Sequence, residues 1–444
     1  MTAKFFFTST LLFFLLSAAP AGAQWPKHFI DNNWGNAKGL SVGDFGNDGD
    51  YDVVVSNGTN HDIVWYEAPS WTRTFVDDNL WDASELYVAD INNDNDMDIV
   101  AAEFFYGQVV WYDSPSWTKY TIDDSLDGAY SVFVADMDGD NELDVVSAGE
   151  DDNDVVWYEA PSWIKHYIDQ ESSDAKGIYV ADMDNDSDLD VVATAWLPDS
   201  IYWYEAPSWI KHAIDGNVGN PRNVFVADIE NDNDMDVIAT AYDSDDVIWY
   251  EAPTWTKHLV DDSLDGAIHL SVEDMDGDND LDIVATGLSA ADVVWYEAPS
   301  WTKHIIDSDL GGAYGVFVVD MDGDTDPDVV ATGLSAANVV WYENVLTGIV
   351  QETSSVPREI NLHQNFPNPF NARTTIRYEI TEASNVRLEI YDLAGRRIDS
   401  IFPGKQPADC HQINWDASDF SSGIYFYTIH AGEIAETKKM ILIK

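Results

Sequence analysis

A Trp-Tyr pair begins at Trp65, Trp111, Trp157, Trp203, Trp249, Trp295 and Trp341, a spacing of 46 residues kept without an insertion. A second Trp follows the same period, at Trp25, Trp71, Trp117, Trp163, Trp209, Trp255 and Trp301. A strict period of this length means one small unit stacked many times, each burying the face that its neighbour cannot. One copy reads as four short strands. YGVFVVD (314–320), DVVAT (328–332) and NVVWYE (338–343) are the first three, and WTKHIID (301–307) is the fourth strand of the preceding copy. Each is rich in β-branched and aromatic residues and bounded by turn formers. Nothing in the repeat has helical spacing. Four strands per copy and seven copies predict an all-β, seven-bladed β-propeller.

The two ends of the repeat region complement each other. WPKHFID (25–31) is a fourth strand with no blade before it, while the last copy stops after its third strand, with Thr347 where the next Trp is due. The N-terminal strand is therefore expected to complete the last blade and close the ring, leaving no unpaired edge. Lys or Arg recurs on each outer strand, at Lys27, Arg73, Lys119, Lys165, Lys211, Lys257 and Lys303. We read these cations as guards against edge-to-edge association. His28, His166, His212, His258 and His304 share that strand but give way to Thr74 and Tyr120, which argues against a metal or catalytic role.

Between strands one and two lies an acidic nonapeptide, such as DMDGDNELD (136–144). Its positions one, five and nine are Asp in every copy. With position three, the candidate ligands are Asp136, Asp138, Asp140 and Asp144; Asp182, Asp184, Asp186 and Asp190; Asp274, Asp276, Asp278 and Asp282; and Asp320, Asp322, Asp324 and Asp328. Three variant loops offer Asp44, Asp48 and Asp52 with Gly46 at position three; Asp90, Asn92, Asp94 and Asp98; and Asp228, Glu230, Asp232 and Asp236. Oxygen ligands at this spacing, with a backbone carbonyl near position seven, make a cage for a hard cation, as in the first part of an EF-hand loop. Ca²⁺ fits a ligand-rich flexible loop better than Mg²⁺. Up to seven sites are expected, the three variant loops being weaker.

The pattern VFVADMDGDNELDVV…VVWYE resembles the FG-GAP, or VCBS, repeat of bacterial surface proteins, related to the calcium-loop blades of integrin alpha subunits. The resemblance covers about residues 25–344 and implies a seven-bladed propeller with calcium between its first and second strands. It implies nothing definite about a ligand.

Charge supports the cation reading. Residues 24–349 carry 69 acidic and 10 basic side chains. Such a segment does not bind nucleic acid through its net field. An aromatic content of 13% argues against disorder. One cysteine, Cys410, excludes an intrachain disulfide.

The least regular residues are in the loops between strands two and three and in those entering strand one. Trp34, His61, Trp81, Phe104, Phe105, Tyr106, Trp196, Arg222 and Tyr242 are expected to cluster on the face opposite the acidic loops. Exposed loop aromatics mark binding surfaces, here for a polysaccharide or a surface protein.

Residues 1–23 read as a signal peptide: Lys4, an apolar run and Ala21-Gly22-Ala23 before the cleavage point. No other segment is apolar enough to span a membrane. The propeller is assigned to 24–349 and a linker to 350–359. From 360 to 444 the alternating strands predict a small Ig-like β-sandwich. NFPNPFN, VRLEIYDLAGRRI, SSGIYFYTIHAGE and KKMILIK closely resemble the C-terminal sorting domain of type IX secretion substrates. That resemblance implies a diderm bacterium, recognition by the type IX secretion machinery, and release or attachment at the outer surface. The expectation is an exported calcium-binding propeller that acts as an adhesion or carbohydrate-binding module. No catalytic constellation is visible. A polysaccharide lyase on the same propeller and a structural surface-layer component are the alternatives.

Overall fold

The computed structural model describes residues 25–345, apart from Pro198, and most of 360–442, apart from short connecting stretches. The expected signal peptide and linker lie outside the described residues. The chain divides into two compact units, Met1–Gly348 and Ile349–Lys444. Among the described residues there is no helix, and so none long and apolar enough to cross a membrane.

The first unit consists of seven four-stranded antiparallel sheets. Blade one is Ala37–Gly43, Asp52–Asn57, Asp62–Glu67 and Thr72–Asp77, from the inner to the outer strand. The next five repeat it in sequence order. Blade seven takes Ala313–Val319, Asp328–Gly333 and Asn338–Tyr342 from the end of the repeat and Lys27–Asp31 from its beginning. Lys27 lies opposite Tyr342 and Phe29 opposite Val340, so the N-terminal strand closes the ring as the sequence requires.

The burial of each strand follows its composition. Second strands such as Asp98–Glu103 and Asp190–Ala195 are buried at every position. A near-continuous Val, Ile and Ala run is what two covered faces demand. Outer strands such as Thr256–Asp261 are largely solvated. The hydrophobic core is a series of packets between neighbouring blades. Val146, Val155 and Trp157 of blade three pack with Ile178, Val180 and Val191 of blade four. Across the closure, Ile30, Val330 and Trp341 pack with Val42 and Val53.

The repeated Tyr of each Trp-Tyr pair is at most 1% exposed. Its hydroxyl donates, over 2.6–3.0 Å, to the Asp ending the outer strand of the preceding blade, as from Tyr112 to Asp77 and from Tyr342 to Asp307. The outer-strand cation of the same blade reaches that Asp at 2.7–3.3 Å. The seven cations thus tie blades together. The recurrent His stacks on the Trp of strand three, 4.1–4.5 Å between ring centres, and pairs with the Glu that ends or directly follows that strand.

The second unit is a sandwich of a three-stranded and a four-stranded sheet. Ile376, Tyr378 and Trp415 of one sheet meet Leu388, Ile390, Tyr427 and Met440 of the other. The phrase VRLEIYDLAGRRI supplies parts of two paired strands, Ser384–Asp392 and Arg397–Gln406.

Candidate metal and ligand sites

Each acidic loop is wound by its own carboxylates. In the loop of blade three, Asp136 accepts the backbone N–H groups of Gly139, Asp140 and Asn141 at 2.8–3.0 Å. Asp140 accepts that of Glu142 at 2.8 Å. Asp144, 1% exposed, accepts from Met137 at 2.9 Å and from Ala160 at 2.8 Å. Gly139 and Asn141 take φ of 76° and 72°, a left-handed backbone that Gly and Asn tolerate best. This winding gathers carboxylate oxygens of Asp136, Asp138 and Asp144 within 4.8 Å of one another. The same triple forms from Asp182, Asp184 and Asp190, from Asp274, Asp276 and Asp282, and from Asp320, Asp322 and Asp328. Position five stands outside each triple; Asp186, Asp278 and Asp324 hold a backbone N–H two residues on, as Asp140 does.

Among the described residues, no such triple forms in the other three loops. Their frames are the same: Asp44, Asp90 and Asp228 make the usual backbone bonds, and Asp52, Asp98 and Asp236 bond the N–H of Ala68, Ser114 and Ala252. Position five is alike too, with Asp48, Asp94 and Asp232 each accepting a backbone N–H. Position three differs. Gly46 has no side chain, the Asn92 amide donates to Asp113 at 2.9 Å, and Glu230 is a longer side chain whose carboxyl is raised by burial and by the Asp236 charge.

Burial first, and neighbouring carboxylates second, push Asp144 up to about 6 and Asp282 and Asp328 up to about 7. Three carboxylates this close, one of them buried, repel one another, and a hard divalent cation among them reverses the sign of that interaction. The four triples could hold metal ions.

On the opposite face the expected ligand residues fall into separate groups. Trp81 stacks on His61 at 3.8 Å, with Phe105 at 6.2 Å and Tyr106 at 6.0 Å. Phe105 and Tyr106 are 67% and 59% exposed. The buried Glu103 carboxylate holds the Tyr106 N–H. Phe104 is half-buried beside them. Trp196, Arg222 and Tyr242 form a second group, the guanidinium 5.8 Å from the Trp196 ring and 5.0 Å from the Tyr242 ring. Trp34 belongs to neither. It is 3% exposed, in the interblade core, because it occupies the register of Leu80, Leu126, Leu264 and Leu310. Lys38, Tyr130, Lys176, His269 and Tyr314 escaped the sequence reading. Their signal was variation at the second and third positions of the inner strands.

Fold and loops together define a seven-bladed propeller of acidic-loop repeats joined to a β-sandwich. The FG-GAP-like repeat matches residues 90–147 and 136–193, and the secretion system C-terminal sorting domain matches residues 364–444. Residues 90–193 thus carry FG-GAP-like repeats and residues 364–444 a type IX secretion sorting domain, which marks the chain for export to the cell surface or medium of a diderm bacterium. No curated protein matches it. Among solved structures, BBS1N in its complex with ARL6DN aligns with a TM-score of 0.53 at 10% identity, over 73% of this chain and 98% of that one. A fungal alcohol oxidase of the AA5 family, in complex with copper, aligns with a TM-score of 0.52 at 10% identity, over 95% of this chain and 100% of that one. At such identity these likenesses concern the fold alone.

Proposed function

We propose that this exported propeller is a calcium-loaded binding module for a polysaccharide, held at the face opposite the acidic loops. Calcium is supported by the four carboxylate triples, whose all-oxygen ligands suit a hard cation. In each triple, positions one, three and nine are the proposed ligands, joined by position five and the carbonyl near position seven once the ion is bound. The weaker sites are those of Gly46, Asn92 and Glu230.

The observation that carries the binding role is the exposed aromatic group at Trp81. Phe105 and Tyr106 present most of their rings to water, yet Glu103 and the Trp81 ring fix them in place. Exposed rings held in place suit the apolar faces of sugar residues, and holding them in water without a ligand gains nothing. A glycan array probed with the full chain in calcium is the test. Binding to a defined polysaccharide is expected, reduced about tenfold or more, roughly 1.4 kcal/mol, by Phe105→Ala or Tyr106→Ala with an unchanged melting temperature. Silence across the array from folded protein would overturn the polysaccharide reading in favour of a protein ligand or a structural role.

A further inference from the structure

The propeller segment has 10 basic side chains against 69 acidic ones. Seven of the ten are the outer-strand cations, each already tied to an Asp of the preceding blade. The other three, Lys38, Lys176 and Arg222, share one register, the second residue of an inner strand. Each of these strands bulges there: pairing with strand two skips from Ala37 to Leu40, from Ala175 to Ile178 and from Pro221 to Val224. A bulge re-aims side chains, and here it aims them at the propeller axis. Contacts across the ring establish the direction. Lys38 of blade one and Lys176 of blade four both lie over the Tyr130 ring of blade three, at 5.9 and 4.5 Å. The Tyr130 hydroxyl meets that of Tyr314, from blade seven, at 3.2 Å.

These residues surround one mouth of the axial channel. The acidic loops follow the other end of every inner strand, so this mouth opens on the face of the loop aromatics. The channel behind it encloses about 310 Å³ and is lined near the mouth by Glu85, Asn223 and His269. Deeper, Tyr87, Phe133, Tyr179 and Phe225 form an arc with ring centres 4.6–5.0 Å apart.

The charges at the mouth do not balance evenly. Lys38 pairs with Asp82 at 2.9 Å, and Lys176 with Glu150. Arg222 has no carboxylate partner among the described residues, and its buried Nε has no hydrogen-bond partner. Leaving such a donor unpaired costs stability, in a segment where carboxylates outnumber cations so heavily. The other charges beside it are accounted for: Lys38 and Lys176 are held in their ion pairs, and burial raises the Glu85 carboxyl to about 7. Burial, then Arg222 and Lys38, pushes His269 down to about 4, so its ring is uncharged at physiological pH. Burial also pushes the Tyr314 hydroxyl up to about 12. A planar guanidinium fork fits a carboxylate in a two-point bond. Hydroxyl, amide and imidazole groups around it fit sugar hydroxyls, and the Trp196 and Tyr242 rings fit a sugar face.

We propose that the axial mouth binds a sugar residue bearing a carboxylate, gripped by Arg222. The proposal rests on the reading that this face binds a polysaccharide, and it names the subsite and its chemical class. The surrounding acidic field repels polyanions, so the ligand carries its acidic residue singly, at a chain end.

The test is calorimetric titration of the full chain, in calcium, with disaccharides ending in glucuronate or galacturonate and with their carboxyl-reduced counterparts. Acidic disaccharides are expected to bind at least tenfold more tightly than reduced ones. Arg222→Gln should erase that difference, Arg222→Lys should restore part of it, and neither should lower the melting temperature or change the calcium content. Phe105→Ala should leave it untouched. Equal binding of acidic and reduced sugars, undiminished acid binding by Arg222→Gln, or no disaccharide binding would overturn the proposal. A neutral glycan whose binding depends on Phe105 and not on Arg222 would sink the axial site and leave the binding module standing. Capture of a peptide carboxyl terminus through Arg222, with no sugar bound, would overturn the ligand class.

Discussion

At the scale of single residues, the Asp at the end of each outer strand decides how blades are joined. It accepts a buried Tyr hydroxyl and a Lys or Arg from the next blade. Burial alone would raise these carboxyls. Hydroxyl, cation and backbone N–H together outweigh it and hold Asp77, Asp123, Asp169, Asp215, Asp261 and Asp307 below the usual range. Tyr296→Phe removes one such hydrogen bond and is expected to cost about 1–3 kcal/mol in urea unfolding. A loss below 0.3 kcal/mol would show the clamp to be idle. The sign of the pH dependence follows from the lowered carboxyls. Their folded values lie below the ordinary aspartate value of about 3.9, so the clamps contribute fully above it and are lost as pH falls through the folded values. The stability difference between wild type and Asp261→Asn should stay constant from about pH 8 to 5 and shrink toward zero as pH falls through 4 and below. A difference that also falls between pH 7 and 5 would point to another group. None of this was legible from one repeat. Tyr112 and Lys119 lie 35 and 42 residues beyond Asp77, and only the ring geometry brings them together. The lysines were rightly placed on outer strands, but their partners belong to the neighbouring blade.

At the scale of elements, the closing strand and the acidic loops were legible because each carries its own text. WPKHFID is recognisable as a displaced fourth strand, and a fixed spacing of Asp predicts carboxylates turned inward. The bulges of the inner strands were not legible, since a bulge depends on pairing between strands, and so Lys38 and Lys176 stayed hidden while Arg222 was read only as a loop residue. Trp34 misled for a related reason: its side chain is unlike those at the same register, yet its place is set by the blade. Removing residues 25–31 exposes the edge of Asn338–Tyr342, whose Val339, Val340 and Trp341 are buried behind the missing strand. An exposed apolar edge recruits another chain. The truncated protein is expected to run as dimers and larger species in light-scattering chromatography while the full chain does not. A truncated chain that stays monomeric and melts like the parent would show that closure is dispensable.

For the whole molecule, the governing quantity is the imbalance of 69 acidic and 10 basic side chains in residues 24–349. Seven of the ten cations are held in interblade clamps and two of the remaining three pair with carboxylates at the axis, so the loop carboxylates have no cationic side chain to turn to. On the proposed reading, calcium bound in the loops would stabilise the folded state by mass action and remove repulsion that unfolding would otherwise relieve. Titration of the stripped chain should therefore resolve a tighter class of four sites and a weaker class of three, following the four carboxylate triples and the three variant loops. Chelation at pH 7.5 should lower the melting temperature by about 5 °C or more, since a deficit of about 2–4 kcal/mol is felt at this size as several degrees. Salt separates general repulsion from site binding. Raising ionic strength from about 0.1 to 1 M shortens the screening length from about 10 to 3 Å, so it should recover part of the lost stability without calcium and change little with it. Seven equivalent sites would mean that position three contributes little to the cage. A melting temperature unmoved by chelation would mean that the loops stand on their backbone hydrogen bonds alone.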